Sequence, residues 1–212
     1  MSEREQPEPE QKFQFTRAAV ALLRFAQLDL RAITLFENSP QAAWSAQKLL
    51  LLCIPVLMLV SLYDPALPQV QQQLGFTPLA YGLLVVTHFL ISAYGFMLLV
   101  HHLGQKLGFN KTFPLYVNAQ FSIAFPMVIF AACLTLLWRA LGVTETSEAL
   151  LQVVLYGVQI TIDWMITYSA LRVKPLVAFG ISVMGVLFAK IAQYFILLII
   201  MLTIAPSVVA TP

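Results

Sequence analysis

Residues 79–103 read LAYGLLVVTHFLISAYGFMLLVHHL, a run that holds no Asp, Glu, Lys or Arg. A helix needs about twenty such residues to cross a hydrocarbon layer of roughly 30 Å, and this run exceeds that length. It reads as a membrane-spanning helix. Comparable runs lie at 44–63, 114–138, 149–171 and 176–204. The linkers between them are short and carry the helix-stopping residues: Asp64-Pro65 and Pro68, Gly104 to Lys111, Gly142 to Ser147, and Arg172 to Lys174. Five spans without a soluble insert predict an all-α fold, a polytopic membrane helix bundle of five transmembrane helices over residues 40–205. No internal repeat is visible, and five spans do not divide into two equal inverted halves.

Composition agrees. Hydrophobic residues make up 59% of the 212 and charged residues 10%, with a mean hydropathy of +0.81. A soluble domain carries about a quarter charged residues, so this chain cannot cover a water-facing surface. The same figures exclude a disordered protein, a disulfide scaffold and a typical nucleic-acid binder. Cys53 and Cys133 both lie inside apolar runs and report no redox compartment.

Ahead of the spans, residues 1–13 alternate acids with prolines and predict a disordered tail rather than a signal peptide. Residues 14–37 predict an interrupted amphipathic helix. Arg17, Arg24 and Arg31 recur every seven positions, and Phe15, Ala18, Ala19, Leu22, Leu23, Ala26, Leu30 and Ile33 fill the rest of its surface. Three arginines near the centre of a lone span would cost roughly 2.5–3.5 kcal/mol each. An interfacial position avoids that cost, with the arginines toward anionic headgroups. Packing of this helix on other protein helices is the alternative. Glu37-Asn38-Ser39-Pro40 then stops it.

Basic residues orient the bundle. Arg4, Lys12, Arg17, Arg24, Arg31, Lys48, Lys106, Lys111, Arg172 and Lys174 fall on one side, which is ten of the twelve. Arg139 alone falls on the other, and Lys190 lies within the last span. The expectation is a multi-pass protein of a bacterial inner membrane, N-terminus cytoplasmic, with residues 206–212 a short external tail. Trp44, Tyr63 and Trp138 stand at span ends, where interfacial aromatics belong.

Ionisable groups inside a membrane are functional candidates by default. Asp163 and Lys190 are the two here. From the turn at 172–174 they lie about 14 Å and about 24 Å deep, at 1.5 Å per residue. Their side chains lean toward each other, so an ion pair, direct or through water, is one expectation; a proton or ion relay and separate roles are the others. Gln152, Tyr156, Gln159, Asp163 and Thr167 share one helix face, which must point into the bundle. Tyr81, His88, Ser92, Gly95 and His102 form a weaker stripe, and Asn118 and Gln120 fall near the start of the third span. These polar faces predict either hydrogen bonds between helices or a ligand cavity. The candidate intramembrane site comprises Asp163, Lys190, Gln159, Tyr156, His88 and Asn118. A small-residue seam at Ala178, Ser182, Gly185, Ala189 and Ala192 predicts close packing inside the bundle or self-association. Pro55 and Pro126 predict kinks.

No spacing of His, Cys or carboxylates suits a metal, and no cofactor motif is present. Catalytic signatures such as H-E-x-x-H or G-x-S-x-G are missing, and a single intramembrane aspartate excludes a paired-aspartate protease. The expectation is that the chain is not an enzyme. The sequon Asn110-Lys111-Thr112 lies on the cytoplasmic side, where it carries no meaning.

Two stretches carry a family resemblance. One is Gly108-Phe-Asn-Lys-Thr-Phe-Pro114, leading to Asn118 and the mid-span Pro126; the other is Ile162-Asp-Trp-Met-Ile-Thr-Tyr-Ser-Ala-Leu-Arg172. With a cytoplasmic N-terminus, an amphipathic pre-helix and five spans, the chain resembles the Yip (Rab- and Ypt-interacting) family, in its prokaryotic form. The Asp-Leu-Tyr-Gly-Pro run of eukaryotic members has no counterpart, since Asp29-Leu30 is followed by Arg31-Ala32. The resemblance implies a non-enzymatic membrane protein that organises membrane or binds partner proteins, itself included, rather than Rab binding. Anionic lipids at the N-terminal helix are the expected lipid partner. The rival expectation is a small transporter or ion conduit built on Asp163 and Lys190. A dry core favours the first, and a hydrated path to Asp163 favours the second.

Overall fold

The structure is a computed structural model that describes residues 11–64, 67–142 and 145–209. It is helical from end to end of the described residues, with no strand among them. Five segments are long and apolar enough to cross a membrane: Pro40–Ser61, Pro78–Leu107, Asn110–Ala140, Ala149–Leu171 and Pro175–Ile200. The chain is thus a polytopic helix bundle, and each span lies where the hydropathy of the sequence puts it.

The N-terminal segment is interrupted, with bounds other than 14–37. Helix α1 runs Gln11–Ala26, opening three residues earlier and closing eleven residues before Glu37. Leu28 takes a left-handed conformation, φ 60°. The Asp29 N–H donates to the Arg24 carbonyl and the Leu28 N–H to that of Phe25, which caps the last turn. A 3₁₀ turn follows at Leu30–Leu35, capped by the Asp29 carboxylate, which accepts from the Arg31 N–H at 2.9 Å. Ala18, Ala21 and Phe25, one helical face, are fully buried, and α1 packs against the third span. Arg17, Arg24 and Arg31 are all exposed. The tail at 1–10 lies outside the described residues.

The first span is two helices, α2 (Pro40–Leu51) and α3 (Cys53–Ser61), broken at Leu52. Pro55 explains the break: it offers no N–H to the Leu51 carbonyl and its ring crowds that oxygen. A short helix α4 (Leu67–Leu74) fills the following loop. The remaining spans are α5 (Pro78–Leu107), α6 (Phe113–Ala140), α7 (Glu145–Leu171) and α8 (Pro175–Val209). Pro126 sits inside α6 without interrupting it. Helix α8 continues past the predicted end of the fifth span at 204, into the expected tail at 206–212, of which residues 210–212 lie outside the described part.

Local chemistry sets the boundaries. Ser39 and Thr77 accept from the N–H groups of Ala42 and Ala80, each followed by proline at the first helical position. Gly108, at φ 82°, ends α5 in the left-handed conformation that glycine adopts without strain. The Trp164 indole donates to the Pro175 carbonyl at 3.0 Å and closes the turn from α7 to α8. Asn38 straddles the loop at Lys111 and the start of α6, donating to the Lys111 carbonyl and accepting from the Leu115 N–H, both at 3.1 Å.

The helices close into a ring. The first span packs on α6, α6 on α7, α7 on α8, α8 on α5, and α5 back on α3, whereas α5 and α6 scarcely touch. Packing is uneven along the ring. Buried residues gather toward the end that carries Lys106, Lys111, Arg172 and Lys174, among them Phe25, Val100, Tyr116, Ile166, Leu171 and Ser182. Beyond Ser182, only Ala192 of the residues described in α8 is buried. The basic end is a packed plug, and the ring loosens above it.

Candidate functional site

A cavity of about 420 Å³ occupies the loose part of the ring, and all five spans line it. Leu50 and Leu57 come from the first span, and Val85 to Met97 form one face of α5. Helix α6 contributes Gln120, Ala124 and Met127, helix α7 Tyr156, Gln159 and Asp163, and helix α8 Gly185, Ala189 and Lys190. The wall is mostly apolar, with a few convergent polar groups, the usual make-up of a small-molecule site.

Asp163 is the centre of the polar groups. Its Oδ1 accepts from the Gln120 amide at 2.7 Å, and Gln159, one turn earlier, faces the same carboxylate. Thr167, one turn later, is buried and donates to the Asp163 main-chain carbonyl at 2.6 Å. These residues recur every three or four positions along α7, so one helix face delivers Tyr156, Gln159 and Asp163 to the lumen. Across from them, His88 Nε2 donates to the Ala189 carbonyl at 2.9 Å and ties α5 to α8. Ser92 lies one turn further along α5 on the same wall. Two buried polar atoms of the lining, Ser92 Oγ and Gln120 Oε1, have no hydrogen-bond partner.

Lys190 is not the direct partner of Asp163. Among the described residues no basic side chain comes within 4.0 Å of that carboxylate. The Lys190 ammonium stands instead over the Tyr156 ring, 5.4 Å from its centroid, and 3.4 Å from Gln193 Oε1. The depth offset explains this: Lys190 lies about two turns further from the basic end than Asp163, near the level of Tyr156. Of the six residues expected at the site, five line the cavity: Asp163, Lys190, Gln159, Tyr156 and His88.

Asn118 does not belong with them. It is buried, its Nδ2 donates to the Glu37 carbonyl at 3.0 Å, and its Oδ1 accepts from Ser122. It pins the N-terminal segment to α6. Gln120 takes the place expected of Asn118, because two residues on a helix point about 200° apart. The weaker stripe on α5 also divides. His88 and Ser92 face the cavity, Tyr81 donates to Asp64 at 2.9 Å, and His102 is exposed.

The small-residue seam of α8 packs within the bundle. Ala178, Ser182 and Ala192 are buried. A Cβ on Gly185 would stand 3.0 Å from the Phe96 ring, and one on Gly95 only 2.7 Å from the Phe188 ring. Each glycine is a notch for a phenylalanine of the other helix, and the two rings lie 6.5 Å apart. This interlock holds α5 against α8 at one seam of the cavity. Among the described residues no group of three His, Cys, Asp or Glu is placed to hold a metal ion.

Compared with protein-family models, with curated proteins and with solved structures, the chain matches none.

Proposed function

We propose that the chain is a small membrane carrier or conduit whose solute site is the ring cavity. The observation that supports this reading is the placement of Asp163: a carboxylate between spanning helices, lining a cavity of about 420 Å³, with amide partners and, among the described residues, no basic one. A charge at that depth is costly, and a purely structural group would be neutralised by a neighbour. The carboxylate faces open space instead, beside two polar atoms without partners. The packed basic end closes the cavity on one side, as an inward gate would.

The test is uptake by proteoliposomes of a panel comprising protons, Na⁺, K⁺, a primary ammonium and an amino acid. Uptake of one of them that is lost in Asp163→Asn supports the reading. Equal fluxes in both proteins, or no flux above empty vesicles, overturns it.

A second reading, Yip-like membrane organisation, draws support from the N-terminal segment. Arg17, Arg24 and Arg31 are exposed beside the exposed Leu23 and Leu28, so the segment offers basic and apolar groups together outside its packed face. Such a surface suits anionic lipid at the cytoplasmic face of a bacterial inner membrane. Vesicle flotation of the full chain against a triple Arg→Gln variant reports on it only after solubilisation, so the readout is the count of anionic lipids retained on purification. Equal retention by both proteins contradicts this reading.

A further inference from the structure

We propose that the solute of this cavity is an organic ammonium, a protonated amine on a small apolar body. The inference rests on the carrier reading above and narrows it to a chemical class. Three independent features of the wall converge on it.

The first is the hydrogen-bonding inventory. Asp163 offers a carboxylate whose partners are the amides of Gln120 and Gln159, which leave its charge uncompensated. Gln120 Oε1 is buried without a partner and can only accept. Ser92 Oγ, also buried without a partner, can accept as well. His88 spends its Nε2 donor on the Ala189 carbonyl and so offers none to the cavity from that nitrogen. These acceptors beside the carboxylate favour a cationic donor, in competition with the donors of the lining itself, Lys190 and the amides of Gln159 and Gln193. An ammonium supplies two or three N–H groups and the compensating charge.

The second feature is aromatic. The face of Tyr156 already carries an ammonium, that of Lys190, at 5.4 Å. The geometry of this ring is therefore suited to a cation, and such contacts strengthen when water is excluded. Lys190 occupies this ring face as an internal competitor.

The third feature is size and polarity. A bare monovalent ion needs a close shell of oxygens to replace its water. A cavity of about 420 Å³ walled largely by Phe89, Phe96, Met127 and their apolar neighbours is too large and too oily for that. It fits a molecule with an apolar body and one polar end. An anion is disfavoured by Asp163 itself.

The experiment is a binding titration of the full chain in nanodiscs with phenethylammonium. Phenethyl alcohol serves as the uncharged control, phenyltrimethylammonium as the cation without N–H donors, and NaCl as the inorganic cation. Saturable binding of phenethylammonium is expected, with both organic controls weaker by at least about ten-fold, the loss of one charged hydrogen bond. Asp163→Asn and Tyr156→Leu should each weaken binding, and Lys190→Met should tighten it by freeing the ring face and removing a like charge. Tyr156 is partly exposed, so its variant keeps the test open if Asp163→Asn fails to fold. Equal binding of the alcohol would leave an apolar pocket only and overturn the proposal, as would binding indifferent to all three substitutions. Asp163-dependent binding of Na⁺ without binding of the amine overturns the ammonium and leaves the carrier reading standing. A Gln159→Cys protein closed to water-soluble thiol reagents would remove both.

Discussion

Asp163 and Gln120 show what a residue type reveals and what it hides. A lone carboxylate inside a span is conspicuous because the bilayer tolerates it so poorly, and Asp163 is legible on that ground alone. Its partner is not. Asn118 and Gln120 are equally polar and two positions apart, and only the rotation of α6 against α7 decides which meets the carboxylate. Gln120 does, at 2.7 Å, while Asn118 holds the Glu37 carbonyl. The same limit applies to Lys190. Opposite charges on neighbouring spans suggest a pair, yet the ammonium rests on Tyr156. Asp163→Asn and Lys190→Met should therefore be additive in folding stability, to within about 0.5 kcal/mol, as for sites that share no partner. A double-mutant cycle in detergent or lipid measures this directly. A double mutant markedly more stable than the sum of the two losses would show that the charges pair after all.

At the scale of elements, spans are read easily and breaks are not. Five apolar runs of sufficient length fix five spans, and the Ser39-Pro40 and Thr77-Pro78 starts are visible because capping chemistry is local. Pro55 likewise marks the division of the first span. The end of α1 carries no such mark: Leu28 adopts a left-handed conformation with a side chain that ordinarily avoids it, so nothing at 26–29 announces the stop. The contact of α5 with α8 was half visible. Small residues mark the seam on α8, but the reciprocal notches, Gly95 for Phe188 and Gly185 for Phe96, depend on register between the helices. Gly95→Leu should overpack this seam and destabilise the bundle by about 1–3 kcal/mol. Adding Phe188→Ala should return part of the loss, because the ring is what the new side chain meets. Thermal unfolding of the two proteins checks this, and an unchanged midpoint in Gly95→Leu would show that the helices part freely there.

For the whole molecule, composition settles the environment and charge placement predicts orientation, but neither reveals the ring. Which spans are neighbours depends on contacts far apart in sequence, such as the first span with α6 and α5 with α8. With ten basic residues on one side and one on the other, the N-terminus should be cytoplasmic and the C-terminus outside. A C-terminal fusion to a reporter active only outside the cytoplasm should be active, and activity of a cytoplasm-only reporter would contradict the five-span orientation. The central claim is that water reaches the Asp163 level through the loose half of the ring. Its most direct test is thiol accessibility of Gln159→Cys, an exposed position of the cavity lining one turn from Asp163, in a Cys133→Ser background, where the remaining native cysteine, Cys53, is buried. Modification by a charged, membrane-impermeant methanethiosulfonate from the side opposite the basic end, and not from the basic side, is the predicted result. No modification from either side would mean a dry core and would contradict the account.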